Sequence, residues 1–320
     1  GEISSIYKKN GKVRKIHNVV IFPSIEAADR LSQKLENIGA NIHSDGRPIL
    51  GLDSRDLLEM TLDTDERAIF IPAHIWTPHF SLFGAYSGFD TIEECFGDLT
   101  PNIHALETGL SSDPPMNWRI SALDKYILVS NSDAHSPANL AREANIFNSE
   151  LSYQEIYEAL GNKDSDKFYG TLEFFPEEGK YHFDGHRKCC VCMKPTDTIE
   201  AGGKCPVCGG RITVGVLHRV ETLADRPEGY KPEKTKKYES LVPLPEVIGS
   251  VLGCSSSSVK AKREYERLLS AIGPELYILR NASIDEIREK AGLLLAEGIN
   301  NLRNNKVEAI PGYDGEYGKV

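Results

Sequence analysis

The chain has 320 residues, 40% of them hydrophobic and 26% charged, with a formal net charge of −10. That composition belongs to an ordinary globular protein with room for one large α/β domain and one or two small ones. No apolar run is long enough to cross a bilayer, so a cytoplasmic protein with neither membrane segment nor signal peptide is expected. The charge is uneven. Residues 1–179 hold 15 Lys/Arg against 28 Asp/Glu, whereas 180–239 hold 12 against 8 and 260–306 hold 9 against 7. An acidic body with weakly basic appendages could meet an anionic polymer, and a solvated surface explains the same excess.

Taken in order, the first half alternates between short apolar runs and helical patterns. The run 19–22 reads as a strand stopped by Pro23. Ser24 can then cap a helix reaching Ile38, with Ala27, Ala28, Leu31, Leu35 and Ile38 as its apolar face. Asp53 can cap a second helix containing Leu57, Leu58 and Leu62. Strands are expected at 68–73, 103–106, 127–129 and 168–175, and helices at 118–126 and 152–160. Repeated β/α alternation implies a parallel sheet or barrel. From residue 181 the character changes to a cysteine cluster, an alternating stretch at 212–220 and a Pro/Gly/Lys-rich loop at 227–237. The segment 246–254 and a serine run at 255–258 precede a helix expected at 259–272, and a capping box at Ser283 opens a last helix through Arg303. Three domains follow: 1–180, 181–240 and 241–320.

The strand at 127–129 delivers Asp133 and His135, two positions apart, onto a loop closed by Pro137. Strand ends are where α/β folds collect ligands and catalytic groups, and a carboxylate with an imidazole suits a divalent cation or an acid/base pair. A plain turn is the competing account. Glu2, His17 and His74 are further ligand types near strand ends, and convergence of all five at one rim would let bound cations activate a water. His17, just ahead of a strand, serves equally as a capping or core histidine. Trp76, Phe80, Phe83, Tyr86 and Phe89 crowd the segment after His74, either as a stacking surface for an exposed base or as loop core.

Cys189-x-x-Cys192 and Cys205-x-x-Cys208 carry the most specific spacing in the chain. Two such knuckles complete a closed tetrahedral sulfur site, and structural Zn2+ is the expected occupant; a redox pair or metal-free thiols are the alternatives. Cys190 could compete as a ligand. His182 and His186 flank the knuckle as supports of the ligands or as surface groups.

Several stretches together resemble endonuclease Q, a family of PHP-domain DNA-repair nucleases. They are 70–76 (FIPAHIW), 105–113 (ALETGLSSD), 130–136 (SNSDAHS), the opening Gly1-Glu2-Ile3-Ser4-Ser5 and the knuckle region with 215–219 (GVLHR). The resemblance implies a PHP-type distorted (β/α) barrel, then a four-Cys zinc ribbon and a small helical C-terminal domain. It further implies a nuclease that nicks DNA 5′ to deaminated bases (uracil, hypoxanthine, xanthine) or abasic sites. On this basis Glu2 is the metal-bridging carboxylate, His17 and His74 are imidazole ligands, and Asp133 and His135 are a late ligand pair. The metals would be Zn2+, Mg2+ or Mn2+. The family opens with a strand ending in His-x-His that has no counterpart here, and the chain starts at Gly1 without Met. The expectation is therefore a domain lacking its N-terminal part, starting inside a strand that ends at Glu2, with an incomplete metal centre. Two other functions remain open. One is a phosphoesterase acting on a small phosphorylated metabolite, distinguished by turnover of a generic phosphomonoester. The other is a non-catalytic zinc-ribbon protein binding nucleic acid, distinguished by metal at the ribbon alone.

Overall fold

The structure, a computed structural model, describes residues 1–43 and 46–320. It opens on a hairpin. β1 (Glu2–Lys9) and β2 (Lys12–Ile21) pair antiparallel along their whole length, Glu2 opposite Val19 and Lys9 opposite Lys12. The two-residue turn is Asn10-Gly11, with φ of 53° and 75°, the backbone that an Asn-Gly hairpin requires. Two sequence expectations are corrected by it. Glu2 opens a strand instead of ending one, and His17 sits inside β2, opposite Ser4, and not ahead of a strand. Only the apolar end of β2 was legible, because the first part of the strand buries the polar Arg14, His17 and Asn18 and exposes Val13.

The hairpin extends into a four-stranded sheet of order β3-β1-β2-β4, where β3 is Ile49–Leu50 and β4 is Ile69–Pro72. Helix α1 (Ile25–Asn37) is capped by the Ser24 hydroxyl, which accepts from the Ala27 N–H at 3.2 Å, and buries Ala27, Leu31 and Leu35. Ile38, expected on that apolar face, is 54% exposed beyond the helix end. Asp53 caps α2 (Ser54–Leu62), whose Leu57 and Leu58 are fully buried. After α3 (Ile92–Phe96), the strands β5 (Ala105–Glu107) and β6 (Ile127–Val129) pair in parallel. Between them lie α4 (Pro114–Asn117) and a single 3-10 turn at Ser121–Leu123, in place of the helix expected over 118–126. A third sheet pairs β7 (Ala144–Phe147) antiparallel with β8 (Phe168–Glu173), joined by α5 (Tyr153–Gly161) behind its Ser152 cap. The fold is thus mixed α/β, not all-parallel. The two-residue Asn10-Gly11 turn can join only antiparallel strands, whereas a parallel pair needs a longer crossover.

Further on, β9 (Asp184–His186) and β10 (Val191–Met193) form a small antiparallel ladder, followed by α6 (Pro195–Glu200). The alternating stretch 212–220 turns into α7 (Val216–Leu223), whose Val216 and Val220 pack into the same buried cluster as Ile16, Leu57, Phe70 and Trp76. β11 (Lys237–Ser240) adds in parallel to β8, carrying the chain into the helices α8 (Leu244–Leu252), α9 (Val259–Ala271), α10 (Glu275–Arg280), α11 (Ile284–Ala291) and α12 (Leu293–Arg303). The long helix expected from Ser283 is broken at Gly292, where φ is 87°. Among the described residues, no helix is long and apolar enough to cross a membrane.

Candidate metal sites

Three side chains of the first sheet converge, from the start of β1, the interior of β2 and the turn after β4. His17 Nδ1 lies 2.7 Å from Glu2 Oε1 and 3.0 Å from His74 Nε2, and His74 Nε2 lies 3.4 Å from the same Glu2 oxygen. Three ligand atoms of three residues therefore point at one place, a group that could hold a metal ion. Burial disfavours the charged Glu2 carboxylate, but hydrogen bonds and charge from His17 and His74 outweigh it and hold the group below the ordinary carboxylate range. Burial pushes the His17 imidazole down, against the pull of Glu2.

His74 is held by its own turn. The Thr77 hydroxyl donates to the His79 carbonyl at 2.8 Å and so accepts from His74 Nδ1 at 3.0 Å. A proton on Nδ1 would leave the Nε2 lone pair for a metal held beside Glu2 and His17, the tautomer a metal ligand needs. Without an ion, burial lowers the imidazole, but its hydrogen bond to Glu2 and the nearby carboxylate charges outweigh this and raise it. The His74 backbone N–H donates to Glu107 Oε2 at 2.7 Å, and Asn131 Nδ2 donates to the other oxygen at 2.6 Å. His74 has φ of 30°, and Gly109 has φ of 63° with its Cα against the His74 side chain: a Cβ there would lie 2.5 Å from His74 Cβ. Only glycine fits that approach.

Asp133 and His135 are placed differently. Asp133 lines a cavity of about 310 Å³ together with Glu2, His74, Glu107 and Asn131, and its charge reaches His74. His135 turns away, 76% exposed, with Nδ1 2.9 Å from the Asp133 carbonyl oxygen. The structure therefore gathers Glu2, His17 and His74, sets Asp133 beside them, and leaves His135 on the loop. Sequence reasoning missed two deeply buried carboxylates behind the group, Glu143 and Glu173. Glu173 ends β8 and accepts from the hydroxyls of Thr108 (2.9 Å) and Thr171 (2.5 Å). Burial pushes it up to about 8 and also raises Glu143, with the Glu173 charge adding to it. A lone charged residue in the strand was the available signal for Glu173.

The second group lies in the cysteine segment. Ligand atoms of His186, Cys189, Cys205 and Cys208 all lie within 4.8 Å of one another, with Cys208 Sγ 3.4 Å from His186 Nδ1. The edges of a tetrahedron around zinc with ~2.3 Å bonds are roughly 3.8 Å, so this set fits such an ion. Burial raises the Cys205 thiol, but the N–H groups of Cys208 and Val207, with His186, pull it down to about 6, toward the thiolate that metals require. Cys192, expected as the fourth thiolate, stands outside this group. Cys190 turns in the left-handed region with φ of 52°, and the chain enters β10 directly, which places Cys192 opposite Gly185. His186 closes β9 and takes the fourth position. Its signal was present in the sequence: His186-x-x-Cys189 has the same spacing as Cys205-x-x-Cys208.

The aromatic segment after His74 is mostly loop core. Trp76, Phe83 and Phe89 are buried, and Trp76 Nε1 donates to Asn117 Oδ1 at 2.8 Å. Arg219 of α7 pins the segment by donating to the carbonyls of Phe83 and Phe89, both at 2.9 Å. Tyr86 is the exception, 58% exposed and stacked on His79 at 4.6 Å.

The chain is similar to known proteins. The family profile described as MJ0043 C-terminal domain matches residues 243–306. The chain is 36% identical over 253 residues to the uncharacterized protein MJ0043 of Methanocaldococcus jannaschii, covering 77% of this chain and 31% of that protein. It is 30% identical over 312 residues to the uncharacterized protein YqxK of Bacillus subtilis, covering 95% of this chain and 73% of that one. The crystal structure of the lesion-specific endonuclease PfuEndoQ from Pyrococcus furiosus superposes with a TM-score of 0.86 at 32% identity, over 100% of this chain and 77% of that chain. An endonuclease Q complex with a 27-mer duplex substrate carrying an abasic lesion at the active site gives 0.82 at 32% identity, over 99% and 78%. The class so defined is that of α/β DNA-repair endonucleases. Within it, the chain belongs to the endonuclease Q family. It spans about a third of MJ0043 and about three quarters of its other relatives.

Proposed function

We propose that this chain carries the catalytic centre of a metal-dependent endonuclease that nicks DNA 5′ to deaminated bases (uracil, hypoxanthine, xanthine) or abasic sites. The observation that carries it is the convergence of Glu2, His17 and His74 on one point, in a chain whose whole length superposes on a lesion-specific endonuclease. In this reading the first three sheets are the staves of a PHP-type distorted barrel. A divalent ion (Zn2+, Mg2+ or Mn2+) would be held by Glu2, His17 and His74, with Asp133 and His135 joining as the late pair. Such an ion supplies Lewis acidity and an activated water for phosphodiester hydrolysis. The protein's own part is to keep Glu2 ionised, to fix the His74 tautomer through Thr77, and to hold His74 against Gly109 by way of Glu107. The second site, proposed as structural Zn2+ on His186, Cys189, Cys205 and Cys208, would brace the ribbon and its neighbouring basic loop. Damaged duplex DNA is the partner, bound through phosphate contacts that weaken with salt.

The test uses the full-length protein and three labelled duplexes of one sequence: undamaged, with one deoxyuridine, and with one abasic site. Metal-dependent nicking 5′ to the lesion, abolished by chelation and by His74→Ala, is expected. Equal cutting of damaged and undamaged duplexes, or turnover of a simple phosphomonoester alone, would sink the assignment.

A further inference from the structure

A small cavity of about 40 Å³ lies under the segment 232–237, which leads into β11. Its wall includes Ile127, where β6 begins, whereas Asp133 follows the other end of that strand. The cavity and the metal-binding group are therefore at opposite ends of β6. At about 10–15 Å³ for one water, the space holds roughly three.

Four lysines stand on the wall, Lys163, Lys234, Lys236 and Lys237, against one carboxylate, Asp124. Asp124 is already taken, because Arg226 donates to both of its oxygens, at 2.8 and 2.6 Å. At the exposed rim, Lys234 lies 3.7 Å from Asp164, and Lys237 Nζ lies 3.1 Å from the Tyr169 hydroxyl. Lys163 and Lys236 are half-buried, and among the described residues neither forms an ion pair. Each donates to a main-chain carbonyl instead, Lys163 to that of Asp124 and Lys236 to that of Ser165 at 2.6 Å. An ammonium has three N–H donors, so each keeps two.

Burial lowers the Lys163 ammonium, the charges of Asp124 and Asp164 raise it, and that of Lys236 lowers it again. Two partly desolvated cations that repel each other are stabilised by an anion between them. The space is too small for a base, a sugar or a carbon chain, so the guest is a compact oxyanion. A phosphoryl group brings the charge and the several acceptor oxygens that the spare N–H groups can meet.

We propose that Lys163 and Lys236, with Lys234 and Lys237 at the rim, form a binding site for a phosphoryl anion, separate from both groups of metal ligands. Glu228 and Glu233, the acidic residues of the same loop, are not on the wall. Free phosphate and a phosphate of a DNA strand share this chemistry, and the test separates them. The site does not depend on the nuclease activity proposed above. It also carries its own reporter. The chain has two tryptophans; Trp76 is buried, and Trp118 stands on the cavity wall with Lys231 5.8 Å over its ring.

The full-length protein is titrated with inorganic phosphate at constant ionic strength, with chloride as the balancing anion. A saturable change in tryptophan emission is expected, and Trp118→Phe should abolish it. Lys163→Gln and Lys236→Gln are each expected to weaken phosphate binding roughly 10- to 100-fold, the range for a lost hydrogen bond to a charged group, while Glu233→Gln leaves it unchanged. A second measurement needs no variant: phosphate should slow the labelling of Lys163 and Lys236 by an amine-reactive reagent, but not that of exposed Lys260. An undamaged duplex that competes with phosphate assigns the site to a DNA strand, and one that does not compete assigns it to free phosphate. Equal responses to chloride and phosphate would overturn the proposal. So would binding that persists in both lysine variants, as it would if the metal centre took the phosphate.

Discussion

Zinc retention should depend on His186 and not on Cys192. A structural zinc site with four ligands binds with about 10–16 kcal/mol, so one ligand accounts for about 3–4 kcal/mol, or roughly a 10²- to 10³-fold change in affinity. Of the five neighbouring ligand types, His186, Cys189, Cys205 and Cys208 have their donor atoms within 4.8 Å of one another. The Cys192 thiol lies outside, on β10 beside Asp184, and its protonated form is favoured by burial first and by the Asp184 charge second. His186→Ala should therefore lower zinc affinity by about that factor, while Cys192→Ala should keep one zinc per chain. Competition against a chromophoric chelator, with zinc content measured after dialysis, separates the two. Retention by His186→Ala with loss by Cys192→Ala would refute the reasoning, since β10 would then have to unpair from Gly185 to present its thiol.

At the first metal site, Glu2→Gln removes the charge held by His17 and His74, and nicking of an abasic duplex should fall at least roughly 100-fold; a variant as fast as the parent would remove Glu2 from the site. Gly109→Ala should cost at least about 1–2 kcal/mol from its backbone alone, since φ is 63°, and should displace His74 as well. Urea unfolding together with metal content measures both effects, and an unaltered protein would show that the approach is loose. Stability should also fall in alkali. The Glu173 carboxyl is raised from 4.5 to about 8, so its contribution is fully present below 4.5 and is lost as pH rises through 8, by an upper bound of about 5 kcal/mol. Urea midpoints at pH 6.5 and 9 should differ, and Glu173→Gln should flatten the difference; parallel profiles for variant and parent would count against it.

Much of this was legible where local chemistry decides the structure. Ser24, Asp53, Ser152 and Ser283 all cap the helices expected of them, because a hydroxyl or carboxylate before an amphipathic run satisfies N–H groups wherever the helix packs. The strand at 127–129 was equally plain, being apolar on both faces. What failed depended on partners distant in sequence. His17 was placed ahead of a strand because nothing local shows that residues 12–18 pair with β1. Glu173 and Glu143 carry no motif, and their burial arises only when β7 and β8 pair behind the site. The place of His186 was hidden for a related reason: two CxxC spacings looked complete, and only the fold shows that β9 brings His186 among Cys189, Cys205 and Cys208.

The loop of Asp133 and His135 shows how far apart the controls on one site can lie. Its start is fixed by the third sheet: the Ser130 N–H donates to Asn145 of β7 at 3.0 Å, and the Ser130 hydroxyl to the Leu172 carbonyl of β8 at 2.9 Å. Its far side meets the C-terminal helices, where Ala138, Leu140 and Arg142 share a cavity of about 250 Å³ with Pro243, Pro274 and Leu279. Those helices are fixed in turn, because β11, which leads into them, is zipped to β8 from Gly170 to Glu173. Asp133 thus lies on a loop that starts at a strand end and runs beside the C-terminal helices. The loop of Asp133 and the helices of residues 243–306 are thereby tied to one sheet, which gives a physical reason for the two regions to occur in one chain.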